Sequence, residues 1–409
     1  MNQKHILIIN FDFPPNPGIG GRRWAMFAHY LAKDSNNIIH VLCRKNTSGD
    51  TSLYFDLVQG KNNIKFHYLP HFYPKVLDSY PKSIWSKIKY RFWNTLLKIY
   101  SKGTPYDKAL FFKRRIMKMA LTIIQKNKIE NVIVSGAPFR LCYYMASLKS
   151  RIPNLIVDFR DPWTWGPNYG YSSLSSVRTK AEKNMQDLTI SNADIILAPV
   201  DVMRNELQSQ YPKHSSKIKL LPHGFDANQI RQRQKESRIS TSTLRLIFIG
   251  TLYEGIGDYF REIAKAIKAS QDPIYLDIYS DSLKYQEVFE EYKLGKTNVN
   301  YHRPVPPKEL FEMLGEYDFV LLVHPPYGKD NISTKFYEIA YSGTPILYIG
   351  EKGETSNFVT ESQLGIYLEP SAVFERLSKF DFNYTHQPTL DVSNYSFEML
   401  TKELSNYFV

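Results

Sequence analysis

Short apolar runs recur along the whole chain, and each closes on a turn rich in glycine, proline or charge before a stretch with helical spacing begins. Residues 6–10, 38–42, 64–69, 131–135, 155–157, 194–199 and 218–221 supply these runs in the first half. Residues 244–249, 274–279, 299–305, 317–323 and 346–349 supply them in the second. Such runs, short and without strict alternation, read as strands buried on both faces. Parallel strands need long crossovers, and the helical stretches at 24–31, 173–191, 200–211 and 258–269 provide them. The pattern predicts an α/β protein of two doubly wound parallel sheets, one in each half, and 409 residues suit two such cores better than one.

Composition narrows what such a chain can do. A content of 43% hydrophobic and 22% charged residues belongs to a folded, water-soluble protein. No run of eighteen apolar residues is present, and Met1 to His5 pass straight into the first strand without a signal-peptide pattern, so a cytoplasmic location is expected. Two cysteines, Cys43 and Cys142, exclude a disulfide framework and a thiolate metal site.

The net charge of +12 is unevenly placed. Residues 1–226 hold 33 Lys and Arg against 15 Asp and Glu, a balance of +18, whereas residues 227–409 hold 19 against 25, a balance of −6. Within residues 75–128, fourteen bases face only Asp78 and Asp107. An excess of this kind calls for a polyanionic partner. Ile84, Trp85, Ile88, Phe92, Leu96, Leu97 and Tyr100 form an apolar stripe at helical spacing among these bases, either a helix lying in a membrane interface or one packed on its domain. The bases sit in one helical section and no nucleic-acid recognition motif accompanies them, so an anionic membrane is expected and no nucleic acid.

Three segments carry candidate chemistry. The first runs from Ser333 through Lys335 and Glu338 to Gly343 and Pro345. It reads as a helix whose start, with its free N–H groups and the charge of Lys335, attracts phosphate, while Glu338 lies one turn along the same face. The second is the loop 11–23, rich in Pro and Gly, which carries Gly20 and Arg23 between a strand and a helix, the arrangement by which α/β proteins bring backbone close to a phosphate. The third, Asp158, Phe159, Arg160, Asp161, Pro162 and Trp163, is placed just past the end of the strand at 155–157, where open α/β sheets bind ligands.

These residues resemble family 4 glycosyltransferases of GT-B fold, in the type that builds bacterial cell-surface polysaccharide. The resemblance lies in Ser333-x-Lys335-x-x-Glu338 followed by Gly343-x-Pro345, in the Pro-Pro loop leading to Gly20 and Arg23, in the segment Asp158 to Trp163, and in Pro222-His223-Gly224-Phe225-Asp226. It implies two Rossmann-like domains facing across a cleft: an acceptor-side domain at 1–227, a linker at 228–243, a nucleotide-sugar-binding domain at 244–394, and a C-terminal helix at 395–409 crossing back to the first domain. It also implies a retaining hexosyltransferase-type enzyme that moves a sugar from a nucleotide-sugar, of UDP type, to a lipid-linked or glycan acceptor on the inner face of the plasma membrane.

In that family the donor is held by Glu338 at the ribose, by Asp330 and Ser333 at the sugar and diphosphate, by Gly250 and Thr251 after the first strand, and by the backbone of Arg303 to Val305 at the base. Asp330 stands where the family usually has Glu, and Thr251 and Ile256 stand where it commonly has Arg and Lys. Lys335 and Arg23 are therefore the cations expected to serve the diphosphate. Asp158, Arg160, Asp161 and Trp163 are expected on the acceptor, with Asp161 orienting its hydroxyl as the third catalytic group beside Lys335 and Arg23. No Asp-x-Asp occurs, so neither a metal nor any other cofactor is expected and the nucleotide-sugar is a substrate. Two other readings share the architecture: a sugar-nucleotide epimerase, and a non-catalytic scaffold.

Overall fold

The computed structural model describes residues 3–17, 19–47, 50–70, 74–77, 83–105, 107–164, 173–232, 243–295, 298–330, 332–379 and 384–409. Gly18 and Asn331, most of the expected linker (233–242), and residues 78–82 and 106 of the basic section lie outside them. Two compact units emerge, Met1–Pro222 with Leu400–Val409, and His223–Met399.

In the first unit β1 (Lys4–Ile9), α1 (Arg22–Leu31), β2 (Asn37–Arg44), β3 (Ile64–Leu69), α2 (Ile84–Tyr100), α3 (Lys113–Asn127), β4 (Asn131–Gly136), α4 (Arg140–Ala146), β5 (Asn154–Phe159), α5 (Ser176–Asn192), β6 (Ile195–Ala198), α6 (Asp201–Gln210) and β7 (Ile218–Leu220) follow one another. The strands form one parallel sheet in the order β3-β2-β1-β4-β5-β6-β7. Leu7, Ile9, Val132, Val134, Leu155 and Val157 on one face meet Ile116 and Ala120 of α3 and Leu141 and Met145 of α4. This two-faced burial is the reason the strand sequences lack alternation. The chain end returns here: Asn131 and Val409 bond reciprocally, and Asn154 Nδ2 donates to the Tyr407 carbonyl at 2.7 Å.

The second unit contains β8 (Leu244–Ile249), α7 (Gly257–Ala269), β9 (Ile274–Tyr279), α8 (Gln286–Glu291), β10 (Val299–His302), α9 (Pro307–Met313), β11 (Phe319–Val323), α10 (Thr334–Ser342), β12 (Ile346–Ile349), α11 (Glu354–Glu361), β13 (Gly365–Leu368) and α12 (Val373–Ser378), with α13 (Phe397–Ser405) beginning at its end. Its sheet is also parallel, in the order β10-β9-β8-β11-β12-β13. Both sheets expected from the sequence are therefore present. The strand β13 and the helices α11 and α12 were not legible in it.

One expected boundary is corrected. The sequence expects the third segment past the end of a strand at 155–157, but β5 continues through Phe159, so Asp158 lies inside the sheet. Its carboxylate can be buried there because Trp24 Nε1 and Ser135 Oγ donate to Oδ2 at 2.7 and 3.0 Å, with Arg23 Nε at 3.4 Å.

Two polar features mark the first unit. Glu182 of α5 accepts from the Thr104 backbone N–H and from Trp163 Nε1 at 2.7 and 2.8 Å and pairs with Arg140 at 3.4 Å, while Asp107 accepts from the Arg140 and Ala109 backbone N–H groups. Burial pushes the pKa of both acids above the usual carboxylate range. On the sheet, three histidines from neighbouring strands form a row: His5 Nδ1 lies 3.0 Å from His40 Nε2, and His40 Nδ1 lies 3.1 Å from His67 Nε2.

Candidate functional site

In the second unit the chain winds outward from β8 to β10, then restarts on the other side at β11. The topological switch point therefore falls between β8 and β11, and an open α/β sheet binds ligands in the crevice beyond the carboxyl ends of such a strand pair. The loop after β8 begins at Gly250 and the loop after β11 at His324. They touch: Tyr327 OH donates to the Glu254 carbonyl at 3.3 Å, and a Cβ on Gly255 would lie 3.6 Å from Pro325.

The helix α10 leaves this crevice. Ser333 precedes it in extended conformation without capping it through its side chain, and Gly343 ends it at φ 77°, a left-handed turn that favours glycine. Phe336 and Ile339 anchor it in the unit. Lys335 lies in its first turn and reaches back across the crevice, so that a Cβ on Gly250 would lie 2.7 Å from its Nζ. Gly250 itself sits at φ 128°, a backbone conformation that selects glycine. Glu338, one turn along from Lys335, is 9% exposed. The structure thus brings Lys335 onto Gly250, with Ser333 just before the same helix, Glu338 one turn along it and exposed Thr251 following Gly250.

The other expected donor residues are placed differently. Asp330 Oδ1 accepts from the backbone N–H of Glu354 at 2.9 Å and so caps the start of α11. Exposed Arg303 and half-buried Val305 follow β10, two strands out from β8, roughly 10 Å across the sheet. Ile256, at the position where the resembled family commonly has lysine, is fully buried at the start of α7.

Buried polar residues that carry no signal in the sequence lie next to the start of the loop after β11. His324, 8% exposed, has its pKa lowered to about 4 by burial, and its Nδ1 finds no hydrogen-bond partner among the described residues. Tyr348 OH and Thr355 Oγ1 are likewise buried without one, and the Tyr348 ring meets that of His324 edge-on at 5.5 Å. A lone His after an apolar run, and a Tyr inside one, give no sequence signal that separates them from ordinary core. A cavity of about 580 Å³ lies elsewhere, along β10 and α8 among Leu283, Phe289, Leu294 and Tyr301. It is away from the switch point and holds none of the expected residues.

In the first unit the switch point falls between β1 and β4. The loop after β1 carries Asp12 and Gly20; Arg44 Nε donates to Asp12 Oδ1 at 2.9 Å, Arg160 Nη1 donates to the Gly20 carbonyl at 2.6 Å, and Arg160 pairs with Asp161 at 3.2 Å. Gly20, Arg160 and Asp161 therefore meet at this crevice, partly open to solvent. Arg23, Asp158 and Trp163 lie beneath it. Arg23 is 3% exposed and donates to the carbonyls of Pro222 and Leu221 at 2.6 and 2.7 Å. Trp163 is fully buried, stacked on Phe139 with its N–H on Glu182. All three are buried, and the Asp158 Oδ2, the Arg23 guanidinium and the Trp163 N–H make the contacts inside the unit that hold the loops above. Among the described residues no three His, Cys, Asp or Glu converge as metal ligands.

No protein-family description matches the sequence, and no curated protein is similar to it at a significant level. Solved structures do match over nearly the whole chain. The lipopolysaccharide outer core galactosyltransferase WaaB, in its apo form, is similar at TM-score 0.59 with 12% identity, over 99% of each chain. Anabaena Alr3699/HepE, solved in complex with UDP-glucose, is similar at TM-score 0.55 with 12% identity, over 99% of this chain and 95% of that one. The UDP-GlcNAc 2-epimerase of Methanocaldococcus jannaschii is similar at TM-score 0.54 with 11% identity, over 99% and 98%. The fold is therefore the GT-B architecture, which glycosyltransferases and these epimerases share.

Proposed function

We propose that the protein is a retaining glycosyltransferase that moves a sugar from a nucleotide-sugar, of UDP type, to a lipid-linked or glycan acceptor in surface polysaccharide synthesis, working at the inner face of an anionic membrane. The observation that carries this reading is the convergence of Lys335 on Gly250 at the switch point, with Glu338 on the same helix. A diphosphate set against Gly250 would meet the start of α10 and the Lys335 ammonium together. Ribose hydroxyls one turn further would meet Glu338 as a charge-assisted acceptor.

The chemistry follows from that placement. As the bond from the anomeric carbon to the diphosphate oxygen breaks, negative charge grows on the leaving phosphate, where Lys335 and the helix dipole oppose it. The acceptor hydroxyl forms the new bond on the same face, and its proton passes to the departing phosphate oxygen. In the first unit Asp161, held by Arg160, would accept a hydrogen bond from an acceptor hydroxyl. Asp330 shapes the second unit's crevice by fixing α11, and Arg23 fixes the segment at Leu221 and Pro222 in the first unit.

The similarity to an epimerase supports a second reading, isomerisation of the donor itself. Incubation with a UDP-sugar, followed by proton NMR and phosphate-ester analysis, separates the two. Free UDP together with a glycosylated acceptor or slow sugar hydrolysis supports transfer, and an isomerised donor sugar with UDP still attached overturns it.

A further inference from the structure

The helix α2 turns its apolar side to solvent. At about 100° per residue, Ile84, Ile88, Ile99, Phe92, Trp85 and Leu96 fan over an arc of roughly 120°. Every one of them is exposed, from 39% for Leu96 to 78% for Ile99. The face towards the unit is narrower and mixed, with half-buried Ser86, Tyr90, Trp93 and Asn94 around buried Leu97. A helix that needed its apolar stripe for packing would point it the other way.

The arc is bordered by charge of one sign. Lys87, Arg91 and Lys98 lie along one edge and Lys89 along the other, and neither α2 nor α3 contains a single Asp or Glu. Exposed Lys113, Arg114 and Arg115 open α3, which is tied to the end of α2 by the stacking of Tyr100 on Phe111. Asp107, the one carboxylate among the described residues of 75–128, is buried and bonded to backbone N–H groups. The mount is firm at both ends. Ser83 and Ser86 form a reciprocal cap at the start, and the Arg178 guanidinium holds the carbonyls of Lys98, Ser101 and Gly103 at the finish.

We infer that α2 is a membrane-docking helix that lies in the interface of a bilayer rich in anionic lipid, its six apolar side chains among the acyl chains and its bordering bases on lipid phosphates. This deepens the membrane part of the function proposed above and rests on it. A second copy of the chain fits less well, because a two-fold pairing of this face would set basic borders against each other with no carboxylate on α2 or α3 to answer them.

The test uses the full chain with vesicles of phosphatidylglycerol mixed with phosphatidylcholine, and of phosphatidylcholine alone. The protein should sediment with the acidic vesicles at low ionic strength and come off as salt rises. Tryptophan emission should shift to the blue on binding, and Trp85→Phe should remove most of that shift. The pair Ile88→Asp and Phe92→Asp, both at solvent-facing positions, should weaken vesicle binding about tenfold or more while circular dichroism and nucleotide binding stay as in the wild type. The inference is overturned if the wild type stays in the supernatant, if the double variant binds vesicles equally well, or if α2 instead drives lipid-free dimers that the double variant dissolves. Nucleotide titration of the same samples keeps the two proposals apart. Nucleotide binding without vesicle binding removes only the docking helix, and vesicle binding without nucleotide binding removes only the transferase reading.

Discussion

Asp161 and Gly250 show how single residues divide the work. Asp161 has its carboxylate on Arg160 at 3.2 Å and remains partly open, whereas Asp158, three positions earlier, is sealed inside β5. The sequence presents both as acids in one motif, and only the length of the strand decides which can meet a ligand. Asp161→Asn should therefore lower kcat by tenfold or more, on the order of 1.4 kcal/mol, with donor affinity unchanged. Equal losses in donor binding and turnover would place the residue in the fold or the donor site instead. Gly250→Ala should weaken nucleotide binding while leaving α10 folded, since an L-residue at φ 128° is strained and its methyl would crowd the Lys335 ammonium. Wild-type affinity in a titration of that variant would show that Lys335 does not work over Gly250.

At the scale of elements, the strands were legible because burial on both faces writes an unbroken apolar run, and α10 because its start and stop signals are both present. The orientation of α2 was not. An apolar stripe at helical spacing looks the same whether it faces a core or a lipid surface, and only the packing of Leu97 and its neighbours reveals which side is inward. The support beneath the first crevice was also hidden, since Glu182, Arg140 and Asp107 are far apart in sequence. Their packing allows no atom at Gly103, where a Cβ would stand 1.9 Å from Glu182 Oε1. Gly103→Ala should destabilise the protein by about 1–3 kcal/mol in urea unfolding. A variant as stable as the wild type would mean that the buried acid has room to move.

The histidine row across β1, β2 and β3 makes a further element with a pH signature. His40 is 1% exposed, its pKa is lowered to about 4 by burial, then by His67, His5 and Lys65, and His67 is lowered as well, by burial and then by Lys126 and Lys65. The unfolded chain, with histidine near 6.5, binds more protons than the native state between these values, so stability rises with pH across the window. It should be complete above about pH 6.5 and decline towards pH 4, by on the order of 2–3 kcal/mol from His40. His324 in the second unit, also lowered to about 4, pushes in the same direction. Urea unfolding at several pH values checks this, and His40→Leu should flatten the dependence; a profile unchanged by the substitution would assign the effect to other groups.

For the whole molecule, the fold is settled by its two parallel sheets and by the structures it resembles, while the activity depends on what the crevice of the second unit holds. At 11 to 12% identity those structures show architecture alone. The deciding measurement is calorimetric titration of UDP, GDP and CDP into the wild type and into Lys335→Ala and Glu338→Gln. The expected result is that one diphosphate, UDP, binds the wild type, and that each variant weakens it by about 1–3 kcal/mol through loss of a charge-assisted contact. No binding of any of the three to the wild type, or binding that neither substitution alters, would contradict the assignment of this crevice as a nucleotide-sugar site.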